Sequence, residues 1–142
     1  MIRILFICLG NICRSPMAEF VFKDMVERRG LADQFYIASA ATSGEEHGIS
    51  TAGKYAVQLK KSDYENYDYL IGMEKWNISG IMRIIGSDPE HKVSRLLDFS
   101  SRPRDIADPW YTGNFDVTYD DIVEGCQALL RHLEENGEIG SV

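Results

Sequence analysis

Ile2 to Ile7 is a run that is apolar but for Arg3, and Cys8-Leu9-Gly10-Asn11-Ile12-Cys13-Arg14-Ser15-Pro16 follows it without a break. A run of Ile, Leu and Phe without polar alternation is the pattern of a strand covered on both faces, as in a parallel sheet. Behind the loop, Pro16 suits a first helical turn and Ser15 suits a cap. Met17, Phe20, Val21 and Met25 fall on one helical face, and Arg28, Arg29 and Gly30 mark its end. The opening segment therefore reads as strand, tight loop and helix, with a thiol at the mouth of the loop.

The same alternation continues. Phe35–Ala41, Tyr69–Met73 and Val93–Leu97 read as strands, and Lys61–Tyr67 as a short helical turn. Trp76, Ile78, Ile81, Met82 and Ile85 make a helix face that Gly86 stops. Thr42–Thr51 is turn-rich. Ser100–Asn114 has no periodicity and holds Pro103, Pro109 and Gly113, which predicts a long loop of the kind that often carries function. Thr118-Tyr119-Asp120-Asp121 has the spacing of a capping box, and Ile122, Cys126, Leu129, Leu130 and Leu133 continue as a helical stripe. The order predicts an α/β fold: one domain, a four-stranded parallel sheet, helices on both faces and a phosphate loop after the first strand. Ligands of such sheets bind at the carboxyl ends of the strands, where the Cys8–Pro16 loop lies.

The apolar runs are too short to span a bilayer, and the first residues lack the pattern of a signal peptide, so a cytoplasmic location is expected. Net charge is −7, which argues against nonspecific nucleic-acid binding, and an anionic ligand must be captured by local positive potential. Cys8, Cys13 and Cys126 do not make a secreted disulfide framework, and Cys126 reads as a buried inert thiol. His47, His91 and His132 are scattered without ligand spacing, so neither a metal site nor a cofactor is expected.

A cysteine followed by five residues and an arginine wraps a loop around an oxyanion. Backbone N–H groups point inward, and the following helix N-terminus adds positive potential. Gly10 and Asn11 permit the backbone torsions such a loop needs. Arg14 can grip two phosphate oxygens with its fork of donors. The same field favours the thiolate form of Cys8, and Ser15 can donate a hydrogen bond to it. Attack on phosphorus also needs a proton donor for the leaving group, a role for a carboxylic acid on a mobile loop. Asp105, Asp108 and Asp116 are the candidates. Asp108 precedes Pro109, Trp110 and Tyr111, which could wall an aromatic substrate.

These residues resemble the low-molecular-weight protein tyrosine phosphatases. Cys8–Pro16 is similar to the family's phosphate loop, Asp108-Pro109-Trp110-Tyr111 to its acid loop, and Ser39–Ser43 and Tyr67–Met73 to further family patterns. The resemblance implies that Cys8 is a nucleophile forming a phosphocysteine, that Arg14 clamps the phosphoryl group, and that Asp108 is general acid and then base. It places Leu9, Gly10, Asn11, Ile12, Cys13, Arg14 and Ser15 around phosphate. Asn11, Ser15 and Ser39 would support the loop, and Leu9, Ile12, Trp110 and Tyr111 would flank the substrate. Cys13 would trap an oxidised Cys8 as a reversible disulfide, and Ile12 is the residue of the tyrosine-specific branch. The implied partner is a phosphotyrosine-bearing protein or a small aryl phosphate, acted on by a monomer. The chain departs from the family after Ser43, where the segment around 43–48 is shortened and most of a helix is missing. Two other readings share the loop: an arsenate reductase, for which Cys126 is the spare thiol, and a phosphate-binding module with impaired catalysis.

Overall fold

The computed structural model describes residues 1–9, 14–42 and 57–139, with Trp110 and Tyr111 described by backbone alone. The first strand, β1 (Ile2–Cys8), is an inner strand of a sheet completed by β2 (Phe35–Ala41), β3 (Tyr69–Gly72) and β4 (Val93–Arg95). The spatial order is β2-β1-β3-β4, with all pairings parallel. Alternation along β1 sends Ile4, Phe6 and Cys8 into one apolar cluster and Leu5 and Ile7 into another. None of the five is more than 3 % exposed, which is why the strand shows no polar alternation.

Five helices accompany the sheet among the described residues: α1 (Arg14–Arg28), α2 (Asp63–Asn66), α3 (Lys75–Ile85), α4 (Pro109–Thr112) and α5 (Phe115–Glu135). Side chains of α1 and α5 close over Ile4, Phe6 and Cys8, while Ile81 and Ile85 of α3 cover Leu5 and Ile7. The fold is thus a single α/β domain with helices on both faces of a parallel sheet. Phe22 stands edge-on to both Phe6 and Phe35, with ring centroids 6.1 and 5.4 Å apart. Full burial of each such side chain contributes roughly 1.5–3 kcal/mol.

Five details differ from the sequence expectations. Trp76, expected on the face of α3 with Ile78, Ile81, Met82 and Ile85, is 77 % exposed. The buried stripe of α1 is Ala18, Val21, Phe22 and Val26, whereas Phe20 is exposed and Met17 and Met25 lie at the margin. Helix α1 begins at Arg14, so Ser15 lies inside its first turn and does not cap it. Strand β4 ends at Arg95, because Leu96 and Leu97 turn into the core on a 3₁₀ helix, Leu96–Phe99. Finally, α5 starts at Phe115 and is capped by Asn114, whose side chain accepts the N–H of Asp116 at 2.8 Å. Thr118 and Asp121 therefore sit within the helix and cap nothing.

In this strand order the direction of chain progression reverses at β1. The crevice that ligands use lies outside the carboxyl ends of β1 and β3. Cys8 ends β1 there, and Met73 and Glu74 follow β3 there. No described helix is long and apolar enough to cross a membrane.

Candidate active site

Cys8 is the last residue of β1, and pairing with Ala41 of β2 fixes its backbone. Its carbonyl accepts the N–H of Thr42 at 3.0 Å. Its side chain is 3 % exposed and meets the first turn of α1, where Ser15 Oγ donates to Cys8 Sγ at 2.9 Å. The hydroxyl fixes the position of the sulfur against the first turn of α1. Ser15 is itself 1 % exposed, so this hydrogen bond is made away from water.

Arg14 opens α1 and is 2 % exposed, the largest of the fully buried side chains. A buried guanidinium must be paired. Its Nη1 donates to the carbonyl of Ile106 at 3.0 Å and to Glu74 Oε2 at 3.2 Å, and its Nη2 lies 3.9 Å from Asp108 Oδ2. Its Nε is buried and finds no hydrogen-bond partner among the described residues. One edge of the fork is thus held by protein, and a donor on the other edge suits an external acceptor such as a phosphate oxygen.

The three loop carboxylates separate clearly. Asp105 accepts the N–H of Lys75 and pairs with Arg95, each at 3.0 Å, which ties it to the start of α3. Asp116 lies in the first turn of α5. Asp108, immediately before α4, is the one that pairs with Arg14, and its side chain is 11 % exposed. Cysteine and serine are thus paired at the junction of β1 and α1, where the adjacent arginine pairs with the carboxylate, an arrangement that can supply a sulfur nucleophile, an oxyanion clamp and a proton donor.

The other expected site residues are distributed as follows. Leu9 is half exposed beside Cys8. Trp110 and Tyr111 fall in α4. Ser39 Oγ donates to Glu19 Oε1 at 2.7 Å and links β2 to α1. Gly10, Asn11, Ile12 and Cys13 lie outside the described residues, as do 43–56. Cys126 is buried, its Sγ lies 3.8 Å from the carbonyl of Ala18, and burial pushes its thiol far up from the usual range.

A sequence profile described as "Low molecular weight phosphotyrosine protein phosphatase" matches residues 3–139. The chain belongs to this family. The low molecular weight protein-tyrosine-phosphatase YfkJ of Bacillus subtilis is 35% identical over 156 aligned positions, covering 98% of this chain and 100% of that protein. Its crystal structure superposes with a TM-score of 0.82 at 37% identity, covering 96% of each chain. The phosphatase SP-PTP of Streptococcus pyogenes superposes with a TM-score of 0.77 at 32% identity, covering 97% of this chain and 98% of that one. The curated relatives are named protein-tyrosine phosphatases, hydrolases of phosphoric monoesters.

Two site residues of this phosphatase escaped sequence reading. Glu74 holds Arg14, and Asn77 shapes the turn that presents Glu74. Asn77 is 1 % exposed, and its Oδ1 accepts the N–H groups of Met73 and Glu74 at 2.9 and 3.0 Å. The Glu74-Lys75-Trp76-Asn77 stretch carries a usable signal, a polar pair spaced three apart between a strand and a helix. Nothing in that spacing points to Arg14, sixty positions away.

Proposed function

We propose that this chain hydrolyses phosphotyrosine monoesters in two steps, with Cys8 as nucleophile, Arg14 as phosphoryl clamp and Asp108 as general acid and then base. Cys8 thiolate attacks phosphorus, the S–P bond forms, and the bond to the phenolic oxygen breaks as Asp108 gives that oxygen its proton. Asp108, now a carboxylate, takes a proton from water. The resulting hydroxide attacks phosphorus, the S–P bond breaks, and inorganic phosphate leaves with the thiolate restored. Arg14 stabilises the charge on the equatorial oxygens in both steps.

The observation that carries this reading is the convergence of Ser15 Oγ on Cys8 Sγ beside a buried Arg14 that also pairs with Asp108. Leu9 to Ser15 would supply the backbone and side-chain donors around phosphate, with Asn11, Ser15 and Ser39 supporting the loop. Leu9, Ile12, Trp110 and Tyr111 would flank the aromatic ring. The names of the relatives support a protein substrate. Burial of Cys126 speaks against its serving as an exposed relay thiol, as an arsenate reductase would need.

We also place a shortening of the family domain around residues 43–48. The alignment with YfkJ spans 156 positions, whereas this chain has 142 residues, so at least 14 positions of that relative face an internal gap. The proposed nucleophile, clamp and acid all lie outside this stretch.

The test is hydrolysis of p-nitrophenyl phosphate and of a phosphotyrosine peptide in reducing buffer with chelator. Wild type should turn over both, Cys8→Ser neither, and Asp108→Asn should lose about a hundred- to ten-thousandfold on the peptide and less on p-nitrophenyl phosphate. A folded Cys8→Ser protein that keeps wild-type activity overturns the proposal. Tight peptide binding by wild type without turnover would establish the binding module instead.

A further inference from the structure

We propose that Thr118 and Asp121 are positioning residues for the general acid, holding Ala107 so that Asp108 stays against Arg14. The inference rests on the reading of Asp108 as the acid. Four consecutive backbone groups just before Asp108 are bonded to four different residues on three parts of the molecule. The N–H of Ile106 donates to the carbonyl of Met73 at 2.9 Å, and the carbonyl of Ile106 accepts Arg14 Nη1 at 3.0 Å. The N–H of Ala107 donates to Asp121 Oδ2 at 2.9 Å, and Thr118 Oγ1 donates to the carbonyl of Ala107 at 2.8 Å.

The pattern is that of an extended chain, in which each residue turns its N–H and C=O to one side and the next residue turns them to the other. Ile106 faces the β3 end and the phosphate clamp, and Ala107 faces α5. Thr118 and Asp121 suit this task because residues three apart on a helix stand side by side. Thr118 is 0 % exposed, so its hydroxyl makes this hydrogen bond in the core. Asp121 is braced in turn, since its Oδ1 accepts Arg104 Nη2 at 2.9 Å. Glu124 Oε1 and Oε2 hold the same guanidinium at 2.9 and 3.0 Å. Arg104, Asp121, Thr118 and Glu124 thus tie the loop to α5 on one side while Arg14 ties it to the phosphate loop on the other. The carbonyl and the carboxylate that Arg14 touches lie two residues apart on this strapped segment, so Thr118 and Asp121 act on the distance between clamp and acid.

A positioning role has a signature that a purely structural role lacks. Misplacing the acid slows substrates in proportion to how much their leaving group needs the proton. Phenyl phosphate releases a phenol near the tyrosine value of about 10, whereas p-nitrophenolate leaves with little help. The experiment measures kcat/KM for both substrates with wild type, Thr118→Val, Thr118→Ser, Asp121→Asn and Asp108→Asn, with melting curves for each. Thr118→Val is near-isosteric and removes only the hydroxyl. Asp121→Asn keeps one acceptor oxygen for two donors, so it also covers failure of Thr118→Val to fold. We expect Thr118→Val and Asp121→Asn to lose about tenfold or more on phenyl phosphate and less than about threefold on p-nitrophenyl phosphate. Thr118→Ser should restore the wild-type ratio, and Asp108→Asn should show the same selectivity in stronger form. Equal losses on both substrates, or none, in Thr118→Val and Asp121→Asn while Asp108→Asn is selective would overturn the positioning role alone. An unselective Asp108→Asn would overturn the acid assignment and this inference with it.

Discussion

The two halves of the candidate site are built in opposite ways. The Cys8 end is local: Cys8 closes β1, Arg14 and Ser15 open α1, and this strand–helix junction brings hydroxyl and sulfur together. The Asp108 end is assembled at long range. Asp108 follows a non-strand segment held by Met73, Arg14, Thr118 and Asp121. A local junction is set by backbone geometry and tolerates change elsewhere. A strapped loop depends on every anchor and offers many places to disturb it.

Arg14→Lys should break the local half most severely. A lysine keeps the charge but lacks the planar fork that spans Ile106, Glu74 and a phosphate oxygen. We expect kcat/KM to fall about a hundred- to a thousandfold while the fold persists, as steady-state kinetics with circular dichroism would show. Loss of less than about tenfold would mean that the clamp lies elsewhere in the loop.

Gly125→Ala probes the long-range half through α5, one turn beyond Asp121. An added Cβ would stand 2.5 Å from Leu96 Cγ, and Leu96 is 0 % exposed, so the Leu96 side chain, the helix or the 3₁₀ turn must shift. Denaturant unfolding should show a loss of about 1–3 kcal/mol, partly offset by the better helix propensity of alanine. The phenyl phosphate to p-nitrophenyl phosphate ratio should fall as well, since α5 carries Thr118 and Asp121. Unchanged stability would show that Leu96 yields without moving the helix.

The smallest effect concerns pH. Hydrogen bonds from Arg104 hold the Glu124 carboxyl below its usual 4.5. A carboxyl depressed in the folded state stabilises above the unfolded value and loses that contribution as pH falls through the folded one. Wild type should therefore be slightly more stable than Glu124→Gln at neutral pH, with the gap closing below pH 4.5. The pair is about one-third exposed at both ends, which keeps the difference modest. No gap at neutral pH would locate the bracing in Asp121 alone.

The same contrast explains what the sequence made legible. Cys8, Arg14 and Ser15 could be read because contiguous residues and helix chemistry determine their meeting. The sheet was readable because Ile4 to Ile7 and Leu70 with Ile71 are buried on both faces. Asp108 emerged from its Asp-Pro-Trp-Tyr context and the family resemblance, yet its anchors did not. Thr118 and Asp121 have the spacing of a helix cap, and only the presence of Asn114 upstream releases them for the loop. Glu74 could not be tied to Arg14 because nothing local joins them. Periodicity put Phe20 on the packed face of α1, whereas it is Phe22 that meets the rings of Phe6 and Phe35.

The central claim is covalent catalysis at Cys8, and the most direct measurement is to trap the intermediate. Asp108→Asn turning over p-nitrophenyl phosphate would be quenched in acid, digested and mapped by mass spectrometry. The account predicts phosphate on the peptide bearing Cys8, within a mechanism where Asp108 assists both formation and hydrolysis of the S–P bond. Turnover with no phosphorylated Cys8, or with phosphate on another residue, would contradict it.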